Sequence, residues 1–264
     1  MDLESYSFDF EKEYTYMPNW VKNSVKIMGP EEDVVKVLDY IRHKDPSRNN
    51  EIDFNNVEPV PERLNIVSGG NDRYYVALYL KTLTRTDRDQ LMRKLADYKA
   101  GFYGDYSRKY FNPRYSYIPD NRLTYMSKHF KDEYKILSPN SMEDVGKAYI
   151  DNVLEYGDDT WYEWCCKHWG TKWNAAESRI FDDGFEFETA WSTPIPILEK
   201  LSKKFPELTF HHEWADEDLG SNCGRIEIKN GIEVAGYEFD NTTEAYEFAC
   251  MMWGYEPEDD EDDI

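Results

Sequence analysis

Cysteine is scarce in this chain and wrongly spaced for a metal knuckle. Four occur in 264 residues: Cys165 and Cys166 are adjacent, Cys223 and Cys250 stand apart, and no C-x-x-C pair exists. A chain of this length buries a core without disulfides, so free thiols in a reducing compartment are expected. Long apolar runs are missing too, which argues against a membrane span. Residues 1–16 alternate acids with aromatics, where a signal peptide would carry a basic start and an apolar stretch. The expected location is the cytoplasm of whatever cell makes the chain. A phosphate loop is also missing, since Ser68-Gly69-Gly70-Asn71 reads as a turn. No Ser/His/Asp or Cys/His set carries a supporting signature, so the expectation is no catalytic residue, no metal and no cofactor.

Positive charge is the next scarcity. The chain has 31 Lys and Arg against 53 Asp and Glu, a formal charge of −22. Such a balance keeps a protein soluble and repels nucleic acid and anionic membranes. The imbalance is uneven. Residues 1–80 hold 9 basic and 15 acidic side chains, residues 81–150 hold 14 and 9, and residues 151–264 hold 8 and 29.

What the chain does have is aromatic mass. Phe, Trp and Tyr make up 16%, with 21 Tyr and 8 Trp. Rings bury much area each, which argues for a packed body. Val21 to Met28 alternates like a half-buried strand, and Glu31 to Arg42 carries a helical stripe through Val34, Val35, Val37, Leu38 and Ile41. Ile52 to Val57 reads as a second strand closed by Pro59-Val60-Pro61, and Tyr74 to Leu80 as a short strand. Helices are expected over Asp87–Tyr98 and Ser141–Tyr156. Phe185 to Ala190 alternates again. Ser192 then caps a helix that tolerates Pro194 and Pro196 in its first turn and ends at Phe205-Pro206. Leu208 to Trp214 reads as a strand, Asn230-Gly231 marks a hairpin, and a helix starts at Thr242.

This pattern predicts an α+β fold: a ferredoxin-like βαββαβ core with a long, mostly helical insert and an added β-hairpin. The parts are an extension at 1–16, a core at 17–61 and 161–255, a Tyr/Arg-rich insert at 62–160, and an acidic tail at 256–264.

Several short stretches occur in a telling order: Met17-Pro18-Asn19-Trp20, Asn23, Gly29, Pro59-Val60-Pro61, Trp169-Gly170-Thr171-Lys172-Trp173-Asn174-Ala175, Thr189-Ala190-Trp191-Ser192-Thr193-Pro194-Ile195-Pro196 and Phe205-Pro206. The chain in this respect resembles the YubB-like family of phage and plasmid proteins, over residues 17–61 and 161–239. A Cys usually follows the first Trp in that family, and Val21 stands here. The resemblance implies a ferredoxin-like domain and a mobile-element origin. It supplies no catalytic residues, because the family is largely uncharacterised in function.

Two kinds of surface compete for the functional role. Acidic clusters at Asp182-Asp183, Asp216-Glu217-Asp218 and Glu258-Asp259-Asp260 would offer a partner-binding face that mimics a phosphate backbone. Arg108, Lys109 and Arg114 interleave with tyrosines, and Trp169, Lys172 and Trp173 could stack a base and hold a phosphate, so these six are the candidates for nucleotide or RNA binding. An aromatic pocket of Trp169, Trp173 and Trp191 competes with a plain core role for the same rings. His211, His212 and Glu213 fall on a strand whose neighbours point to opposite faces, so His211 and Glu213 share a face and His212 does not. A third ligand such as His168 or Asp182 is not required by spacing, and scattered surface histidines are expected.

The leading expectation is a non-catalytic binding protein of phage or plasmid type. It would act as an acidic anti-defence inhibitor, occupying the basic surface of a host nucleic-acid-handling protein. The alternative is a nucleotide- or RNA-binding protein using the basic aromatic insert, with or without nuclease activity. Direct nucleic-acid binding is the less favoured of the two on charge.

Overall fold

Alternation along one strand organises the sheet. In the computed structural model, which describes residues 18–45, 50–68, 72–96, 142–239 and 242–256, β1 (Trp20–Met28) buries Val21, Asn23, Val25 and Ile27. Lys22, Ser24, Lys26 and Met28 take the opposite face, as the two-residue period of a strand requires. Helix α1 (Glu31–Ile41) follows, with Glu31, Glu32 and Asp33 at its positive end and Val34, Val37, Leu38 and Ile41 buried.

The chain returns to the sheet much later, as β2 (Ala176–Ile180) and β3 (Gly184–Ala190). Next comes a helix at Ile195–Lys204 and then β4 (Thr209–Asp216). β5 (Cys223–Lys229), β6 (Ile232–Phe239) and a last helix at Thr243–Trp253 complete this part. The sheet has six strands in the order β2-β3-β1-β4-β5-β6, and all neighbours run antiparallel. Its first four strands with two intervening helices are the ferredoxin-like βαββαβ arrangement. The β5–β6 hairpin extends the sheet beyond β4 and turns at Asn230 (φ 52°) and Gly231 (φ 74°), the left-handed pair that an Asn-Gly turn supplies.

The second strand of the ferredoxin unit is not where alternation put it. Residues 52–57 contribute one isolated antiparallel bridge, Arg42 to Ile52, and then a 3₁₀ turn at Phe54–Asn56. Two asparagines and the following prolines leave the segment too short and too turn-prone for a ladder. β2 takes that place, so the long insertion separates the first helix from the second strand. Tyr74–Leu80 is likewise helical, lying inside α2 (Asp72–Thr82). Short apolar runs do not distinguish helix from strand by period.

The chain divides into two compact units, residues 1–53, 173–194 and 198–264 in one and 54–172 with 195–197 in the other. The first holds the sheet. The second holds α2, α3 (Arg85–Ala96), α4 (Met142–Tyr156) and α5 (Trp161–His168). Its core joins Tyr75, Val76, Leu95, Val145, Tyr149, Ile150 and Val153. Gly146 lets α4 approach α2 closely, since a Cβ there would sit 1.9 Å from the Tyr75 carbonyl oxygen. The remaining helices are α6 (Ile195–Lys204), which belongs to the sheet unit from Leu198 on, and α7 (Thr243–Trp253).

Candidate functional site

The two acidic clusters among the described residues do not form one patch. Asp182 and Asp183 are exposed in the β2–β3 turn, where the Asp183 carbonyl accepts from the Ile27 amide and its carboxylate lies 3.3 Å from Lys26 Nζ. Glu217 sits at the other end of β1, its amide donating to the Trp20 carbonyl. Seven residues of extended chain separate these points, roughly 23 Å. Asp216 is not a loop carboxylate at all. It ends β4, is 6% exposed, and accepts from Asn19 Nδ2 (3.3 Å), the Asp218 amide (2.9 Å) and Asn222 Nδ2 (3.2 Å). It orders the loop, and exposed Glu217 and Asp218 carry the outward charge. Glu258, Asp259 and Asp260 lie outside the described residues, as do Arg108, Lys109 and Arg114.

The proposed base-stacking residues have separate lives. Trp169 is 3% exposed, gives its indole N–H to the Glu58 carbonyl at 2.9 Å, and meets Phe54 and Trp164 edge to face. It has no face left for a base. Lys172 Nζ lies 5.6 Å above the Tyr162 ring. Trp173 belongs to the sheet unit, half-buried with its ring 6.1 Å from Trp20.

His212 is the largest departure from expectation. It is 0% exposed, not a surface residue, and sits with Asn23, Thr189 and Thr193 in a buried polar network. Thr193 donates its hydroxyl to Asn23 Oδ1 (2.6 Å), and Asn23 Nδ2 donates to Thr189 Oγ1 (2.9 Å) and the Val21 carbonyl (2.8 Å). His212 Nε2 lies 3.1 Å from both Asn23 Oδ1 and Thr193 Oγ1, while Nδ1 is buried without a hydrogen-bond partner. Burial pulls the imidazole down to about 3, so it is neutral at physiological pH. The sequence carried a signal for this: Phe210 and Trp214 flank His212 at the two-residue period, and both are buried with it.

The helical unit holds a second polar group. His168 Nδ1 is 2.8 Å from Glu58 Oε1 and its ring stacks on Trp164 at 4.2 Å. Asp158 is 3.6 Å from Lys167 Nζ, and burial holds its carboxyl above the usual range. Burial also pushes the Cys166 thiol up to about 11 and Cys165 higher, so neither supplies a thiolate nucleophile. Among the described residues no three His, Cys, Asp or Glu side chains could hold a metal ion together.

The Trp20 end of the sheet unit stands out. Trp191 follows β3 with φ 65° and is 41% exposed. Its amide donates to the Asn19 carbonyl at 2.8 Å and its carbonyl accepts from Asn222 Nδ2 at 3.3 Å. Asn222 is itself left-handed (φ 39°), and so is Glu177 (φ 43°) beside a register shift in β2. Such backbone is costly for residues other than glycine, and it persists only where surrounding bonds impose it. Lys22 pairs in register with Glu188 on one side and Ala215 on the other. Its ammonium lies 5.6 Å above the Trp253 ring, whose indole N–H donates to the Ala215 and Asp216 carbonyls. A concavity of about 200 Å³ is lined by Lys22, Glu177, Arg179, Glu186, Phe187 and Glu188. Burial raises the Glu188 carboxyl, and the charges of Glu177 and Glu217 raise it further against Lys22. Sequence alternation put Glu186 and Glu188 on one face, but no motif marked them.

One family model agrees with the ferredoxin-like topology. Residues 168–261 match a family model described as a ferredoxin-like domain in Api92-like protein. That stretch spans β2 to α7, and β1 with α1 completes the unit from earlier in the chain. The crystal structure of protein api92 from Yersinia pseudotuberculosis aligns with 84% of this chain and 98% of its own, at 15% identity and a TM-score of 0.37. No curated protein matches the chain.

Proposed function

We propose that this chain is a non-catalytic binding protein that occupies a basic surface on a partner protein, of the kind that otherwise holds nucleic acid. The observation behind this reading is the charge of residues 151–264, with 29 acidic and 8 basic side chains. Exposed Asp182, Asp183, Glu217 and Asp218 place part of that charge at both ends of the sheet. The sequence resemblance to phage and plasmid proteins bears on origin alone, and the proposed target, a host defence or nucleic-acid-handling protein, follows from the charge. Burial of Trp169 weighs against the alternative of a base-stacking site around that residue. No described helix is long and apolar enough to cross a membrane.

The test is capture from host lysate by the tagged chain, with elution by salt and by duplex DNA. A basic nucleic-acid-handling protein released by both is the expected result, because screening and competition act on the same charges. A captured protein that resists salt and DNA would overturn electrostatic mimicry.

A further inference from the structure

Four tryptophans gather around the first residues of β1, and all are accessible to solvent. Trp20 and Trp173 form a half-buried pair, Trp253 lies under the Lys22 ammonium, and Trp191 is 41% exposed. Accessible tryptophans concentrated at one place are what energetic centres of protein interfaces are made of. Trp191 is also fixed from both sides of its peptide, by Asn19 and by Asn222, and Asn222 is anchored on buried Asp216. A backbone already held in place has less freedom to lose on binding.

The charge around these rings selects the occupant. Glu217 and Asp218 are exposed beside Asp216, and Glu188 and Glu177 lie across Lys22. A second copy would bring the same acidic rim, and nucleic acid would meet the same repulsion. A basic protein surface is the complement. Arginine fits best, because its guanidinium stacks on an indole face and pairs with carboxylates in a planar fork.

We propose that the tryptophan-lined end of the sheet, centred on Trp191 and rimmed by Glu188, Glu217 and Asp218, is the docking surface for an arginine-bearing surface of a partner protein. The proposal rests on the reading of the chain as a binder of basic surfaces, and it names where that binding happens.

The experiment is a titration of the full chain with hexa-arginine and hexa-lysine peptides, followed by the indole N–H signals in nitrogen-edited NMR. Single Trp→Phe variants assign the signals. Hexa-arginine is expected to move the signals of Trp20, Trp173, Trp191 and Trp253 together and to leave Trp161, Trp164 and Trp169 in place. Trp191→Gly is expected to weaken hexa-arginine binding about tenfold, more than it weakens hexa-lysine binding. Glycine accepts the left-handed backbone, so this variant removes the ring without opposing the fold. Full-affinity hexa-arginine binding by Trp191→Gly, with unmoved sheet-unit indoles, would overturn the docking surface and leave the acidic-binder reading intact. Failure of the wild-type chain to bind either peptide would overturn both.

Discussion

Tryptophan is used in two opposite ways in this protein. In the helical unit Trp161, Trp164 and Trp169 are 6%, 4% and 3% exposed, and they pack against Tyr162, His168, Phe54 and one another. In the sheet unit Trp20, Trp173, Trp191 and Trp253 all reach solvent, and only Trp214 is buried. Residue type therefore says nothing here about role. What separates the groups is where the chain puts them: on helix α5 and its C-terminal end in one unit, at the end of a sheet, its loops and the last residue of α7 in the other. The first group holds a core together, and the second stays partly open to solvent.

The sharpest way to break this contrast is to truncate one member of each group. Trp169→Ala is expected to destabilise by about 4 kcal/mol, because it leaves a large cavity and strips the Glu58 carbonyl of its donor. Chemical denaturation measures it. A loss below about 1 kcal/mol would mean that the helical unit does not depend on this cluster.

Trp214 sides with the buried group, and its neighbour gives a pH signature. Its ring stacks on His212 at 5.2 Å. His212 titrates near 6.5 when unfolded and at about 3 when folded, so the unfolded chain binds the extra proton. The stability that neutral His212 allows is complete above pH 6.5 and is lost progressively as pH falls toward 3. The loss approaches about 4 kcal/mol at pH 3. Carboxylates titrate over part of the same range, so the measurement is the difference between wild type and His212→Gln across pH 4–7. The wild type is expected to lose more stability on acidification. Parallel curves would remove His212 as the cause.

Trp191 gives the reverse of Trp169. Replacing it by glycine removes a bulky residue from left-handed backbone at φ 65°. Stability is expected to hold or to rise by about 1 kcal/mol, even as the ring is lost. Trp191→Ala keeps the strain and should not gain. A drop comparable to that of Trp169→Ala would place Trp191 with the core group and erase the contrast.

Much of the fold was legible in the sequence, and the failures have physical causes. Period-two alternation located β1, β3 and β4, the Asn-Gly pair located the β5–β6 turn, and apolar stripes located α1, α4 and α6. β2 escaped because Ala176-Glu177-Ser178-Arg179-Ile180 buries only Ser178 and shifts register midway. Ile52 to Val57 mimicked a strand because Ile52 and Phe54 alternate with polar residues and are both buried, although the backbone turns from Phe54 on. The candidate site was less legible. Alternation placed Glu186 and Glu188 opposite the core, but nothing in the sequence reports a positive φ at Trp191, Asn222 or Glu177. At Trp191 and Asn222 those conformations go with long-range bonds, Asn19 to Trp191 and Asn222 to Trp191, that join residues far apart in the chain.

The smallest expected effect concerns the rim of the accessible group. Burial, Glu177 and Glu217 all raise the Glu188 carboxyl, so ionised Glu188 is held at a cost at neutral pH. Glu188→Gln removes that charge and keeps the shape. Stability at pH 7 is expected to rise slightly, below about 0.5 kcal/mol, because solvent screens a half-exposed group. The sign has a pH test. A carboxyl raised by folding protonates first in the folded state, so the wild type catches up with the variant as pH falls through the carboxylate range. Hexa-arginine binding should weaken over the same substitution, since the docking surface loses one carboxylate. A variant that gains stability and loses affinity would identify Glu188 as a residue kept for contact rather than for folding. A variant that loses stability at pH 7 would mean that the Lys22 pairing outweighs the repulsion, and that the rim serves the sheet itself.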